Sequence, residues 1–397
     1  MMRLRPIRYA DIEQYPTYFK LQQNVKEKFF GSSPAPFVGR YGYPQVNVGI
    51  LAPQEIEKDA WLHDAPRYWA ENNFSIPQVA DLRMSLVNSR AKSFIRQTPK
   101  ITQLAREIGL AARPVDVEIQ LKKKPTIKPL NDYIVTPMGP GAQLKSARIT
   151  ENPKIEWHMQ KAHDDTDLKA NDAVVYLSKY ADENALTRAL SVGALGIGKN
   201  RKLVPTRWSI TAVDDTLGKK NINEIKNYST TDIKAYFGGF MGNYFLVLFL
   251  PDVWSYELFE MYAPDNFLNR SSEIKFTTDH EFYDGRKDYA SNTAGGYYAA
   301  RLPILDELKK QKRQATVIAL RFITSEYTTP LGVWVVREAV RKAMDSTPIE
   351  FASKELMLMY AAQMGIKRFG INIYEIFRQS KVLNLVKEQR KLTHFKK

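Results

Sequence analysis

The chain has 397 residues, 44% hydrophobic and 25% charged, a balance that excludes a disordered chain, a collagen and a coiled-coil rod. It contains no cysteine, which excludes disulfides, thiol catalysis, iron–sulfur clusters and any Cys-ligated zinc site. Lys and Arg number 58 against 43 Asp and Glu, a formal charge of +15, which favours polyanionic partners: DNA, RNA, nucleotides or acidic membranes.

A length near 400 suggests two or three domains at about 150 residues each. Met1 to Tyr9 is basic but leads into no apolar run, so no secretory leader is expected. Val38-Gly39-Arg40-Tyr41-Gly42-Tyr43-Pro44 and Val46-Asn47-Val48-Gly49 read as short strands around turns. Residues 54–72 and 77–111 read as mainly helical. In the second stretch Val79, Leu82, Leu86, Ile95, Leu104 and Ile108 recur near helical spacing, with Gly109 as a C-cap. Val115, Val117, Ile119 and Leu121 alternate with polar residues, as in a half-buried strand. Residues 122–155 hold seven Pro or Gly residues and read as a loop-rich crossover. That crossover divides the chain into expected regions 1–155 and 156–385, followed by a basic tail, 386–397.

Beyond it, 168–192 reads as helical and Val204 to Val213 as a strand. Tyr244 to Leu250 and Thr316 to Ile323 read as buried strands. Val333 to Met344, Lys354 to Met364 and Ile373 to Glu388 read as helices. Tyr244 to Leu250 is the longest apolar run, at seven residues, far short of the roughly 20 a helix needs to cross a bilayer. A cytoplasmic, nucleoid-associated protein with no membrane partner is expected. The fold class is α+β or irregular α/β: a mixed sheet with flanking helices and a C-terminal helical segment ending in a flexible tail.

Five segments carry polar or glycine-rich patterns with chemical potential. Gly193-Ala194-Leu195-Gly196-Ile197-Gly198-Lys199-Asn200 follows G-x-x-x-x-G-K, but Asn200 replaces the Ser/Thr that would hold Mg²⁺. A helical pattern precedes it where a P-loop needs a strand. It reads instead as a glycine-rich turn that ends a helix and offers Lys199, Arg201 and Lys202 to phosphate. Arg207-Trp208-Ser209 through Asp214-Asp215 reads as a strand delivering carboxylates at its end, with Ser209, Asp214 and Asp215 as candidate catalytic groups, Mg²⁺ or Mn²⁺ as the metal and Arg207 on phosphate. An Asx-turn is the alternative there. Glu156-Trp157-His158 with His163-Asp164-Asp165-Thr166-Asp167 suits either a divalent cation or an acidic helix start. Gly295-Gly296-Tyr297-Tyr298 and Arg301 suit either base stacking with phosphate binding, or a glycine-led helix start with its tyrosines in the core. Finally, Gln389-Arg390-Lys391-Leu392-Thr393-His394-Phe395 follows the Q-x-x-Leu-x-x-aromatic pattern of sliding-clamp ligands. Leu392 and Phe395 lie on one side of a single 3₁₀ turn, so both can enter one apolar pocket. Lys396 stands where a second aromatic is usual, and the alternative is an extension of the preceding amphipathic helix with Leu392 and Phe395 packed on their own domain.

Several of these segments together resemble one family. They are Ser33 to Pro44, Arg113-Pro114-Val115-Asp116-Val117-Glu118, Met138-Gly139-Pro140, Arg201 to Thr216, Thr293 to Arg301 and Pro330-Leu331-Gly332-Val333-Trp334-Val335-Val336-Arg337-Glu338. The whole is similar to the archaeal Nre family of DNA repair proteins, from about residue 33 to the C-terminus. The resemblance implies a role in the response to DNA damage. It also implies that Gln389, Leu392 and Phe395 bind the archaeal sliding clamp, PCNA, with DNA as the further partner. Many members begin with a Cys-based zinc finger, and this chain has no cysteine for one. The resemblance supplies no catalytic residues. Three readings follow: a repair factor docked on the clamp, a metal-assisted hydrolase or transferase acting on nucleic acid or a nucleotide, and a non-catalytic adaptor.

Overall fold

The computed structural model describes residues 4–8, 26–124, 136–264, 266 and 268–388. The chain forms two units, an N-terminal one of Pro16–Leu217 with Pro330–Trp334, and a C-terminal one of Met1–Tyr15, Gly218–Thr329 and Val335–Lys397. Strand β1 (Leu4–Pro6) therefore belongs to the C-terminal unit.

The N-terminal unit is built on a six-stranded mixed sheet. Its strands are β2 (Lys28–Ser33), β3 (Ala35–Val38), β4 (Gln45–Ala52), β5 (Val87–Phe94), β6 (Val115–Leu121) and β7 (Gly141–Ile149), in the order β2-β6-β7-β5-β4-β3. Only β5 and β7 run parallel. The alternation read in Val115–Leu121 is that of β6, whose odd residues are buried and even ones half-buried. Around this sheet lie a 3₁₀ turn (Ala60–Asp64), α1 (Pro66–Glu71), α2 (Ile76–Met84), α3 (Lys100–Leu110), α4 (Trp157–Asp164), α5 (Ala170–Leu177), α6 (Glu183–Ser191), a second 3₁₀ turn (Gly198–Asn200) and the start of α7 (Thr206–Ile225). Local chemistry sets the helix starts. Pro66 opens α1, where its missing N–H is harmless. Ser75 and Gln78 form a capping box at α2. The Asp182 carboxylate accepts the Ala185 N–H at 2.8 Å to cap α6.

Two expected elements differ. The stretch 77–111 is not one helical region, because β5 interrupts it between α2 and α3. Gly109 lies within α3, whose C-cap is Ala111. Val204 to Val213 is not a strand either. Trp208 and Ser209 donate their N–H groups to the Pro205 carbonyl, at 2.8 and 3.0 Å, and α7 begins there.

The C-terminal unit carries a seven-stranded mixed sheet in the order β1-β11-β10-β12-β9-β8-β13. Its further strands are β8 (Lys234–Phe240), β9 (Asn243–Leu250), β10 (Ser255–Tyr262), β11 (Ile274–Glu281), β12 (Thr316–Ile323) and β13 (Ile349–Glu350). The helices are α8 (Ala294–Gln311), α9 (Trp334–Met344), α10 (Lys354–Phe369), α11 (Tyr374–Gln379) and α12 (Lys381–Glu388). On one sheet face Leu246, Leu248, Phe259, Ile318 and Leu320 pack with Met357, Ile376 and Val382 of α10 to α12. On the other, Tyr256 meets Tyr297 of α8 with ring centroids 5.0 Å apart. Strands covered on both sides read as continuous apolar runs, and so β9 and β12 are legible in the sequence. None of the described helices is long and apolar enough to cross a membrane.

Candidate nucleic-acid interface

The N-terminal unit holds a cleft of about 310 Å³, lined among others by Pro34, Trp61, Asp64, Arg67, Tyr68, Arg113, Pro114, Asp182, Asn184 and Arg188. Four stretches supply it: the β2–β3 link, the 3₁₀ turn with α1, the segment between α3 and β6, and α6 with its N-cap Asp182. Its floor is an ionic lattice. Arg83, buried in α2, donates to Asp64 Oδ1 at 2.7 Å and to the His63 and Pro137 carbonyls at 2.8 Å each. Burial pulls the Arg83 guanidinium below its ordinary value, and the Asp64 charge opposes this. Asn184 Nδ2 donates to Asp64 Oδ2 at 2.9 Å, while Arg188 Nη1 stands 3.5 Å from that oxygen. The Arg188 Nε–H is buried and finds no acceptor among the described residues. The rim is aromatic: Trp61 and Tyr68 meet edge to face with centroids 4.9 Å apart, and each keeps 39% of its surface exposed. Arg113 is exposed on the same rim. An exposed ring pair beside arginines can stack a base and hold a phosphate.

The residues singled out in the sequence fall elsewhere. Gly193 has φ +67° and ends α6, and a Cβ there would come within 2.6 Å of the Lys202 carbonyl oxygen. The glycine-rich segment is thus a helix-ending turn folded onto its own chain. Lys199 and Lys202 are exposed beside it. Arg201 is committed inward: Nε donates to the Gly196 carbonyl and Nη2 to that of His163, both at 2.7 Å. Its pKa is lowered by burial first and by the neighbouring Arg106 charge second. Asp214 and Asp215 do not end a strand but lie within α7, with Asp214 fully buried. Ser209 is fully buried, and its Oγ faces the Val204 carbonyl at 3.4 Å. Arg207 is half-buried in the first turn of α7.

In the C-terminal unit Tyr297 and Arg301 are interior, at 0% and 1% exposure. Arg301 pairs with Glu281 at 2.7 Å, and Trp254 Nε1 donates to the same carboxylate at 3.0 Å. Burial pushes the Tyr297 phenol well above its ordinary value. The glycine-led helix start with its tyrosines in the core is the arrangement found, and it offers no face for a base. His163 donates from Nδ1 to the Ala194 carbonyl at 2.8 Å, and Asp165 accepts the Asp167 and Leu168 N–H groups before α5. Among the described residues no three His, Asp or Glu side chains converge to hold a metal ion. Gln389, Leu392 and Phe395 lie outside the described residues.

Two of the segments quoted for the resemblance meet in the N-terminal unit. The Val38 N–H donates to Thr206 Oγ1 at 3.0 Å, and Tyr43 and Trp208 pack with centroids 5.2 Å apart. Arg113-Pro114, from a third such segment, lines the cleft. The two-sheet architecture is that of a mixed α/β protein. The chain matches that family's description "Archaeal Nre, N-terminal" over residues 8–269 and "Archaeal Nre, C-terminal" over 281–395, and it belongs to the family. It is 38% identical over 350 residues to the DNA repair protein NreA of Haloferax volcanii, covering 84% of this chain and 82% of that protein. It is 36% identical over 342 residues to the DNA repair protein NreB of Archaeoglobus fulgidus, covering 85% and 86%. The DNA repair protein NreA of that organism is 38% identical over 338 residues, covering 84% of each chain. No solved structure matches the chain significantly.

Proposed function

We propose that this chain is a DNA-repair factor that a sliding clamp holds at DNA through Gln389, Leu392 and Phe395. The reading rests on one observation above the others: the Gln-x-x-Leu-x-x-Phe spacing at 389–395 in a chain that aligns over most of its length with proteins named for DNA repair. Gln389 hydrogen-bonds at the mouth of the clamp's pocket, while Leu392 and Phe395 fill it. A short peptide loses entropy when it is ordered, so a few anchors carry its affinity. Tethering raises the local concentration of the body at DNA, and weak phosphate contacts by Lys199, Lys202 and other surface cations of a +15 chain then suffice.

The test is a titration of purified clamp with the full chain. The Leu392→Ala/Phe395→Ala double variant is expected to bind at least about tenfold more weakly, as loss of two anchors implies, with an unchanged unfolding midpoint. Equal affinity of the two proteins refutes clamp docking through this segment.

A further inference from the structure

We propose that the cleft of the N-terminal unit is a binding site for one nucleotide, with the base against Trp61 and Tyr68 and the 5′-phosphate between Arg113 and Arg188. The proposal stands on the cleft's geometry and does not require the clamp.

Size comes first. A cleft of about 310 Å³ is at the lower end of small-ligand pockets, which span roughly 300–1,000 Å³. It suits a single base with its sugar and phosphate and is too small for a base-paired duplex.

Charge comes second. The lining holds Arg67, Arg113 and Arg188 together with Asp64, Glu71 and Asp182, a formal balance of charge. Two of the acids are spent, however. Glu71 is paired with Arg67 at 3.1 Å, and Asp64 is held by Arg83 from beneath at 2.7 Å. Asp182 already caps α6 through its Oδ1. Arg113 keeps no acidic partner among the described residues. Among the described residues Arg188 makes only the long contact to Asp64, at 3.5 Å. The exposed part of the Arg188 guanidinium and that of Arg113 can each donate charge-assisted hydrogen bonds to a phosphate oxygen.

Shape comes third. The half-exposed Trp61 and Tyr68 rings and the Pro34 and Pro114 side chains make flat apolar walls. A ligand that is planar at one end and anionic at the other satisfies all three features. A nucleoside 5′-phosphate is such a ligand, either free or as one residue turned out of a single strand.

The full chain is titrated with each of the four deoxynucleoside 5′-monophosphates, with the nucleosides, with inorganic phosphate, with a single-stranded oligonucleotide and with the same sequence as duplex. Binding is read by tryptophan fluorescence and calorimetry. Saturable one-site binding of a monophosphate is expected, at least about tenfold tighter than its nucleoside or phosphate alone. If only the single strand binds, the nucleotide comes from a chain; if free monophosphates bind as tightly, it is a soluble ligand. In either case Arg113→Glu and Trp61→Ala should each weaken binding by about tenfold or more, since one stacked base or one charge-assisted phosphate contact has that worth. Both side chains are exposed, and circular dichroism checks that the variants fold. Absence of saturable binding to monophosphates and single strand alike overturns the proposal. So does binding that both variants leave unchanged, and so does a preference for duplex. Each of these results is independent of the clamp titration.

Discussion

Both units enclose rings and paired arginines, Trp69 and Arg83 in the N-terminal one among them, but only the N-terminal unit also keeps tryptophans at its surface. In the C-terminal unit Trp254, Tyr256 and Tyr297 are completely enclosed, and arginines 301 and 321 are enclosed with them as partners of Glu281 and Glu260. In the N-terminal unit Trp61, Trp157 and Trp208 stay 39%, 63% and 44% exposed, and Arg113 reaches solvent beside a cleft. A sheet covered by helices on both faces needs large side chains to fill it, and any charge trapped there must be paired. Single exposed rings need no explanation, whereas rings and guanidinium groups gathered on one cleft rim can serve a ligand. Under the nucleotide-site proposal, recognition falls to the N-terminal unit, whose cleft rim carries Trp61, Tyr68 and Arg113.

The sharpest way to break this division is Arg301→Ala. It strands the Glu281 carboxylate, whose side chain has 0% exposure, and loss of one partner from a buried pair costs about 3–5 kcal/mol. Chemical denaturation should show that loss. A change below about 1 kcal/mol would mean that the enclosed lattice is not structural.

A smaller effect concerns Glu257, which anchors the helix leading to the C-terminus. Its carboxylate accepts the Ser380 hydroxyl and the Lys381 and Val382 N–H groups at the start of α12. Burial raises its pKa, and these hydrogen bonds only partly oppose the rise. A carboxyl raised in the folded state favours folding when protonated. Its contribution is full below the ordinary glutamate value of about 4.3 and is lost as pH rises through the folded value. Glu257→Gln removes that dependence, so the stability difference should move in favour of the variant as pH rises. A difference independent of pH would contradict the assignment. The smallest effect is that of Trp61→Ala on stability, expected at about 1 kcal/mol or less because the ring is half-exposed. A large loss would make Trp61 a core residue and remove it from the ligand wall.

What the sequence revealed follows the same division. β9, β12 and β6 were legible because their burial is written in side-chain type: continuous apolar runs for strands covered twice, strict alternation for a strand covered once. β5 was not, because its buried side chains include Asn88, Ser89 and Ser93. α7 was hidden by the same cause. Its buried positions 209, 213, 214, 217, 221, 222 and 225 follow the helical period, but Ser209, Asp214 and Asn221 are polar, and the alternation of Trp208, Ile210 and Ala212 mimics a strand. The cleft is assembled from four separate stretches. Of its lining, only Pro34 and Arg113-Pro114 fall in the segments that carry the family resemblance, and no spacing within one segment announces Trp61, Asp64 and Arg188 as neighbours. The glycine-rich and paired-acid motifs drew notice through local pattern, yet their glycines and carboxylates are absorbed by packing.

Backbone hydrogen exchange of the full chain, with and without a saturating single-stranded oligonucleotide, tests the division of labour most directly. The account predicts slowed exchange in the segments around 60–71, 112–114 and 183–188, with β10 and α8 unchanged. Protection confined to the C-terminal unit, with those three segments exchanging as before, would contradict it.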